Sequence, residues 1–250
     1  MRVDVLDHGY VECVDYWGGD REIIKAARMS TDKGFLGWGP MHSPDCQQHT
    51  PGTTKMVHAE ACCNGVPGDE KLLRYLWENQ HSTPFEVSGL TFEVQAPIFV
   101  FREWHRHRTQ SFSEMSARYT PLPDVNYIPT VERLMLNSKT NKQAGTVKGA
   151  AQLTEQEAKG FQDALFSMYA DQESLYQKAL NIGVPKELAR VHLPVGRYSR
   201  MRASANLRNW LAFLTLRMAP GAQWEIRQYA NAVGGFVAKQ FPRTWDLFQG

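Results

Sequence analysis

One stretch of the chain, RHRTQSFSEMSARY at residues 106–119, concentrates side chains that bind anions and exchange hydrogen bonds. It opens with Arg106-His107-Arg108, places hydroxyls around Glu114, and ends with Arg118-Tyr119. Arginine offers paired planar donors to phosphate, serine hydroxyls add neutral donors, and a carboxylate accepts from hydroxyl or imide groups. This combination suits a nucleotide better than a bare phosphate. A purely structural polar turn is the alternative.

The start of this stretch also has a structural explanation. Cations near the C-terminus of a helix are favourable by roughly 0.3–1 kcal/mol each through the helix dipole, so Arg106 to Arg108 could simply end a helix. That does not explain the hydroxyls at 111, 113 and 116, because no single face of a strand or helix collects all three. We therefore expect a loop that wraps a polar ligand.

The surrounding pattern predicts which elements position this loop. Residues 3–16 read as strand, turn and strand, and 87–96 as a further strand because apolar and polar residues alternate. Asp20 is predicted to cap a helix over 20–29, and Thr154 with Glu157 forms a capping-box pattern. Further helices are predicted over 69–80, 97–108, 154–180, 206–218 and 220–240. The motif should begin where the helix from Pro97 ends.

Two segments break this regularity, 34–68 and 137–152, which are rich in Gly, Pro and polar residues. We interpret them as irregular insertions in a single domain that spans 1–250, because no repeat or clean linker is visible. His42, Cys46, His49, His58, Cys62 and Cys63 crowd the first segment. A zinc site there is an open alternative, but the spacing fits no common structural zinc pattern, and we expect no metal.

Bulk properties exclude several classes of protein. Hydrophobic residues make up 42% of the 250 and charged residues 22%, as in ordinary globular proteins. The net charge of +2 argues against a nucleic-acid-binding module, which is the rival from another class. The first residues contain no apolar run of the signal-peptide type, and no stretch reaches the roughly 20 apolar residues of a membrane helix. We therefore expect a cytoplasmic protein with no membrane partner.

The motif at 106–119 resembles the signature of the flavin-dependent thymidylate synthases. Other segments match that family in the same order: AARMS (26–30), HSTPFE (81–86), APIFVFREW (96–104), GVPKELAR (183–190), NLRNW (206–210), LR (216–217) and QWEIRQYA (223–230). The resemblance covers nearly the whole chain apart from the two irregular segments. A long motif supported by several ordered neighbours is far more specific than a single short one.

The resemblance implies a fold, a reaction and an assembly. The implied fold is α/β (α+β), a mostly antiparallel sheet packed by long helices, in a homotetramer whose active sites lie at subunit interfaces. The implied reaction is the reductive methylation of dUMP to dTMP. Methylenetetrahydrofolate would give the carbon, FAD would carry the hydride and NADPH would supply it. A flavoenzyme of the same fold acting on another uracil-containing substrate is the closer rival.

The resemblance also assigns residues. Those implied to bind FAD are His81, Thr83, Arg106, His107, Arg108, Glu114, Asn206 and Arg208. Those implied to bind dUMP are Glu103, Trp104, His105, Arg106, Glu114, Met115, Ser116, Ala117, Arg118, Arg190 and Arg217. Arg217 is the implied catalytic residue, because a fixed cation at the uracil edge would favour ionisation of the ring imide.

Three sequence features bear on these assignments. Arg208 and Arg217 are nine residues apart, which places them on opposite faces of a continuous helix and favours different ligands or different subunits for each. Ser113 and Ala212 stand where many family members have Asn and a polar side chain, respectively. The chain's four cysteines all lie outside the ligand motifs. We therefore expect no cysteine nucleophile, and we interpret Ser116 as a ligand contact.

Overall fold

The computed structural model describes residues 1–39, 68–136, 144–145 and 152–250. Its strands are β1 (Arg2–Val5), β2 (Gly9–Trp17), β3 (Gly89–Pro97), β4 (Ser111–Glu114) and β5 (Tyr198–Asn206). Its helices are α1 (Asp20–Arg28), α2 (Asp69–Glu78), α3 (Ile98–Trp104), α4 (Val131–Met135), α5 (Glu155–Asn181), α6 (Lys186–Ala189), α7 (Leu207–Arg217), α8 (Trp224–Gln240) and α9 (Pro242–Gln249). Short 3-10 turns cover Met29–Thr31, Thr83–Glu86 and Arg190–His192.

The five strands form one sheet in the order β1-β2-β3-β5-β4. β1 pairs with β2 in antiparallel register through a hairpin, and β4 pairs with β5 in the same sense. The predicted α+β class with a mostly antiparallel sheet is confirmed. Within β3, Phe92, Val94 and Ala96 are buried while Glu93 and Gln95 between them are partly exposed. This is the alternation expected of a sheet with one face on the core and one face towards solvent.

The chain divides into two compact units, neither of which is a continuous stretch. Unit 1 comprises 1–14, 91–204 and 213–233, and unit 2 comprises 15–90, 205–212 and 234–250. The core of unit 1 includes Phe92, Phe101, Trp104, Phe213 and Tyr229, all with 0–1% of their surface exposed. The core of unit 2 includes Ile23, Leu73, Leu90, Trp210 and Phe241, also almost wholly buried. The single domain over 1–250 stays a prediction.

Most of the predicted elements form close to their expected bounds. The capping box at the start of α5 is present, because the Thr154 hydroxyl accepts from the Glu157 main-chain N–H at 3.3 Å and the Glu157 carboxylate accepts from the Thr154 N–H at 2.9 Å. The two segments expected to be irregular insertions lie largely outside the described residues. None of the helices in the described ranges has the length and apolar character that a bilayer-spanning helix requires.

Three sequence expectations were wrong in detail. Asp20 does not cap its own helix; its carboxylate accepts from the N–H groups of Arg243 and Thr244 and so caps α9. The helix from Pro97 ends at Trp104 rather than 108, which leaves Arg106 to Arg108 in the turn that follows. Strand β5 was not predicted, because its polar residues alternate with small ones such as Ala203 and give little apolar signal.

Candidate functional site

Arg217, at the C-terminal end of α7, is held by hydrogen bonds from all three nitrogens of its guanidinium group. Nε donates to Nε2 of His107, Nη1 to a carboxylate oxygen of Glu103, and Nη2 to the main-chain oxygen of Glu103, each at 2.8 Å. Only 15% of the Arg217 side chain is exposed. The cation therefore has a fixed position and orientation, since a planar fork bonded at three points cannot rotate freely.

His107 is kept neutral by this arrangement. Burial and, next to it, the positive charge of Arg217 lower the pKa of His107 to about 4, against a smaller opposing effect of Glu103. Because Nε2 accepts the hydrogen bond from Arg217, the ring carries its proton on Nδ1. His107 thus acts as an acceptor that orients Arg217.

Trp104 fixes the turn that carries His107. Its indole stacks on the ring of Phe213 with a centroid distance of 4.7 Å, and its Nε1 donates to the side-chain oxygen of Gln110 at 2.9 Å. Phe213 also meets the His107 ring edge-on at 4.9 Å. Trp104 has none of its surface exposed. In this conformation it packs beneath the neighbouring residues that the resemblance assigns to ligands, and it has no exposed surface of its own.

The hydroxyl-rich part of the motif is a strand and not the loop that its spacing suggested. Ser111 to Glu114 form β4, in which Ser113 lies opposite Arg202 and Glu114 opposite Met201 of β5. The expectation was wrong because cross-strand pairing, which local spacing does not reveal, orders these residues. Ser113, Glu114 and Met115 line an open depression of about 370 Å³ together with Glu93, Arg200, Met201 and Arg202.

A tight turn follows this strand and contains the residues assigned to the substrate. The Met115 N–H donates to the Arg200 main-chain oxygen at 2.7 Å, which ties the turn to β5. Ser116 closes the turn: its hydroxyl accepts from the Arg118 N–H at 3.3 Å and its main-chain oxygen accepts from the Tyr119 N–H at 3.0 Å. Ala117 is 3% exposed and Arg118 is exposed. The turn therefore presents Ser116 and Arg118 rather than Ala117.

The other assigned residues of unit 1 differ in burial and in their charged neighbours. The Nε2 atom of His105 is 4.0 Å from a carboxylate oxygen of Glu114, and Arg118 lies 3.4 Å from the carboxylate of Glu187. Arg190 follows α6 directly and is partly buried. Arg106 and Arg108 are both exposed in the turn after α3.

Four of the residues assigned to the flavin belong to unit 2. His81 and Thr83 are exposed, and His81 meets the Tyr75 ring edge-on at 5.6 Å. The side-chain oxygen of Asn206 accepts from the Asn209 N–H at 3.0 Å and so caps the first turn of α7. Arg208, with 55% of its side chain exposed, pairs with the carboxylate of Glu86.

The structure thus brings Glu103, His107 and Arg217 into direct contact, and it places the Ser116 turn on β5. It also shows residues that sequence reasoning did not assign. Gln110 holds Trp104, and Glu86 pairs with Arg208. Gln110 lies inside the motif at 106–119, and Glu86 lies inside the matched segment at 81–86. Membership of those segments was the only sequence signal for either residue, because no pattern indicated what each would contact.

The zinc alternative is not tested by the structure. The six histidines and cysteines that could form such a site, His42, Cys46, His49, His58, Cys62 and Cys63, all lie outside the described residues. Within the described ranges, no group of three or more His, Cys, Asp or Glu side chains is arranged to hold a metal ion.

Comparison with known proteins points to one family. Residues 12–243 match the family described as "Thymidylate synthase complementing protein". The chain is 37% identical over 249 residues to the flavin-dependent thymidylate synthase of Thermus thermophilus, covering all of this chain and 78% of that one. It is 35% identical over 248 residues to the enzyme of the same name from Thermosipho melanesiensis, covering 99% of this chain and 93% of that one.

Solved structures agree with these sequence matches. The fold is similar to that of a UMP/dUMP methylase, PolB from Streptomyces cacaoi, solved with 5-Br UMP. The TM-score is 0.74 at 29% identity, over 99% of this chain and 97% of that one. A second structure of the methylase, bound with 5-Br dUMP, gives a TM-score of 0.75 at 28% identity with the same coverage.

Proposed function

The chain belongs to the family of flavin-dependent thymidylate synthases, and on that premise we propose that it methylates dUMP to dTMP. In this proposal methylenetetrahydrofolate donates the carbon, FAD is the flavin and NADPH is the reductant. The observation that carries the proposal is the fixed guanidinium of Arg217, oriented by Glu103 and His107 at the end of the family motif. Binding of dUMP is further supported by the relationship to a methylase solved with halogenated UMP and dUMP.

The donor set fits a flavin dinucleotide. Arg106, Arg108 and Arg208 are all exposed, and guanidinium groups suit the paired oxygens of a diphosphate. His81, Thr83, Glu114 and Asn206 would add polar contacts, while His107 is neutral and can donate through Nδ1. When bound, the flavin supplies the redox chemistry that the protein's own side chains lack. The residues proposed to hold FAD are His81, Thr83, Arg106, His107, Arg108, Glu114, Asn206 and Arg208.

In this proposal the protein's own residues bind dUMP and polarise its uracil ring. Arg217 would face the uracil edge, where its fixed charge lowers the cost of removing the imide proton and makes the ring more nucleophilic. The turn at Ser116 would offer hydroxyl, main-chain and guanidinium donors to the phosphate, with Arg118 and Arg190 as cations. Glu103, His105, Arg106, Glu114 and Met115 complete the proposed dUMP contacts. Trp104 and Ala117 contribute from beneath by packing.

We include a homotetramer with shared active sites in the proposal. Its support is the long helix α5, on which large apolar side chains such as Phe161, Phe166 and Leu175 are at least half exposed. Exposed apolar surface of this kind is typical of interfaces. Light scattering should give a tetramer, and activity per subunit should fall on strong dilution. A monomer that keeps full activity at high dilution would exclude shared sites.

Turnover is tested by tritium release from dUMP labelled at the ring carbon that is methylated. The assay contains FAD, NADPH and methylenetetrahydrofolate, and each is omitted in turn. Release that requires all three supports the proposal, whereas release without a flavin or without the folate contradicts it. Complementation of a thymidine-requiring bacterial strain provides an independent readout.

Methylation of UMP is a second candidate, favoured by the similarity to the Streptomyces cacaoi protein, which is a UMP/dUMP methylase. UMP and dUMP differ only in the ribose 2′-hydroxyl, so the same arrangement of Arg217 and the Ser116 turn would serve either. Parallel assays at equal concentrations give the ratio of kcat/KM for the two substrates. A ratio that strongly favours UMP would replace dUMP as the assigned substrate.

A further inference from the structure

A fully buried arginine that has no assigned role, Arg197, links three separate parts of unit 1. Its side chain is 1% exposed and lies at the entry to β5. Nη1 donates to the Asp124 carboxylate at 2.9 Å and lies 2.7 Å from the carboxylate of Glu173 on α5. Nη2 donates to the main-chain oxygen of Leu122 at 3.2 Å. One guanidinium therefore joins β5, α5 and the segment at 122–124.

The segment at 122–124 is the exit from the family motif. The turn around Ser116 ends at Thr120, whose N–H donates to the Ser116 main-chain oxygen at 3.2 Å. Only Pro121 separates Thr120 from Leu122, so holding Leu122 and Asp124 limits how far the turn can move. The residue after Asp124 is also bonded to the residue after Arg197, since the Tyr198 N–H donates to the Val125 main-chain oxygen at 3.0 Å.

The entrance to the motif is fixed by the same residue. The main-chain oxygen of Arg197 accepts from the N–H of Ile98, the first residue of α3, at 2.9 Å. Helix α3 leads directly into Glu103 and the turn at 105–110. Arg197 therefore anchors both ends of the stretch from 98 to 124, which contains every dUMP contact proposed above except Arg190 and Arg217.

Stability alone does not account for this arrangement. Removing a guanidinium from water is expensive, and a buried ion pair is often no more stable than an apolar replacement. Asp124 is 60% exposed, so it does not need Arg197 in order to be solvated. What the pair provides is geometry, because two charge-assisted donors fix the exit segment at two adjacent points.

We propose that Arg197 is a positioning residue for substrate binding, which clamps the Ser116 turn through Leu122 and Asp124. This rests on the proposed function, since it assumes that the turn binds the dUMP phosphate. Without the clamp the turn samples more conformations, and the fraction ready to bind dUMP falls. The flavin contacts of unit 2 lie elsewhere in the chain. Those of unit 1, Arg106 to Arg108 and Glu114, precede the turn and are not bonded to the Arg197 side chain, so FAD binding should not respond.

The sharpest test removes the clamp without disturbing the core. Asp124→Ala removes one of the two links to the exit segment, and leaves the Nη2 bond to Leu122 and the buried Arg197–Glu173 pair in place. In the FAD-loaded protein, we expect the dissociation constant for dUMP to rise about two- to fivefold, the range for one partly exposed ion pair. The dissociation constant for FAD and the thermal midpoint should stay near wild-type values. Hydrogen exchange of residues 115–120 in the substrate-free protein should become faster.

A matched control and a second variant complete the design. Asp4→Ala makes the same substitution in the exposed Arg2–Asp4 pair of unit 1 and should leave dUMP binding unchanged. The double variant Arg197→Leu/Glu173→Leu removes both buried charges together, so neither is left unpaired. It should reproduce the weakened dUMP binding of Asp124→Ala.

The outcomes separate the clamp from the proposed function. If the wild-type protein binds dUMP and Asp124→Ala binds it equally well, the clamp is wrong and the proposed function stands. If Asp124→Ala weakens dUMP and FAD binding in parallel with a lower thermal midpoint, Arg197 is only structural and the clamp is again wrong. If the wild-type protein does not bind dUMP, the proposed function falls and the clamp falls with it.

Discussion

Helix α7 carries two arginines, Arg208 and Arg217, which are nine residues apart and differ in burial and in hydrogen bonding. Arg217 is 15% exposed and bonded through all three nitrogens, two of them to Glu103 and one to His107. Arg208 is 55% exposed and pairs with Glu86, which is itself 36% exposed. One helix therefore presents one fixed cation and one adaptable cation.

The difference indicates different tasks. A cation held in a rigid frame stabilises developing charge without having to reorganise, which is the property expected of a group that activates a ring. A cation in a single solvent-exposed pair can change partners at small cost, since such pairs contribute only about 0–1 kcal/mol. Arg208 can therefore leave Glu86 for a phosphate of the flavin. The comparison predicts that lysine can replace Arg208 with little loss of function but cannot replace Arg217.

The largest effect should come from Arg217→Lys. Lysine keeps the charge but cannot bond His107 and Glu103 at three points, so the cation loses its fixed direction. We expect the kcat for dTMP formation to fall by about 100-fold or more, the scale seen when a preorganised donor is lost. Tritium release measures turnover, and the flavin absorbance of the purified variant shows that FAD is retained.

Near wild-type turnover in Arg217→Lys would contradict the role assigned to the rigid frame. A loss of flavin together with turnover would instead place Arg217 in the cofactor site.

A smaller effect is expected from the adaptable cation. Arg208→Ala should weaken FAD retention by about tenfold, the equivalent of one charge-assisted hydrogen bond, whereas Arg208→Lys should retain most of it. Fluorescence of released FAD reports both. Arg108→Ala, in the exposed turn of unit 1, should resemble Arg208→Ala. If lysine is as damaging as alanine at 208, the adaptable description of this position is wrong.

The frame around Arg217 also predicts a pH dependence. The pKa of His107 is lowered to about 4 by burial and by Arg217. The unfolded chain binds this proton near pH 6.5, whereas the folded chain does not. The free energy of unfolding is therefore highest above pH 6.5 and decreases as the pH falls towards 4. Between pH 6.5 and 4, the free energy of unfolding should therefore fall by about 1–2 kcal/mol less in His107→Asn than in the wild-type protein, allowing for partial solvent screening. Urea unfolding at several pH values between 4 and 7 measures it.

For His107, the reverse result is also informative. If the free energy of unfolding changes with pH in the same way for wild type and His107→Asn, the ring is not neutralised by folding.

The smallest effect is expected from the cysteines. Cys13 lies in β2, and Cys46, Cys62 and Cys63 lie outside the described residues. With ring activation assigned to Arg217, no thiolate nucleophile is needed. Replacing all four by alanine should leave NADPH-dependent dTMP formation within about twofold of wild type, apart from any loss of stability. Abolished turnover in a folded, FAD-loaded variant would overturn the assigned mechanism.

Sequence patterns predicted most elements because their signals are local. The alternation in β3 and the capping box of α5 are each contained within a few residues, and both are present. The resemblance to the family located the motif, but it could not show the contacts within it. The Arg217 bonds to Glu103 and His107 span more than 100 residues of sequence and depend on how α3 and α7 pack.

Strands β4 and β5 show where local signals fail. Ser111 to Glu114 read as a ligand loop because their hydroxyls follow no period, yet pairing with Met201 to Ser204 orders them as a strand. Arg197 illustrates the same limit. No local pattern identified its partners, which are two carboxylates of the same chain, Asp124 and Glu173. The partner of a charge is set by tertiary structure and not by its neighbours in sequence.

The capping of α9 by Asp20 has a consequence for how the chain reaches its fold. The Asp20 carboxylate and Thr244 are 224 residues apart, and both belong to unit 2. A contact of such sequence separation forms only after a large loop has closed, which slows folding. During synthesis, Asp20 leaves the ribosome long before its partner exists. Unit 2 therefore cannot be completed until α9 emerges, and a chain cut short before α9 would leave the Asp20 end of α1 without this helix.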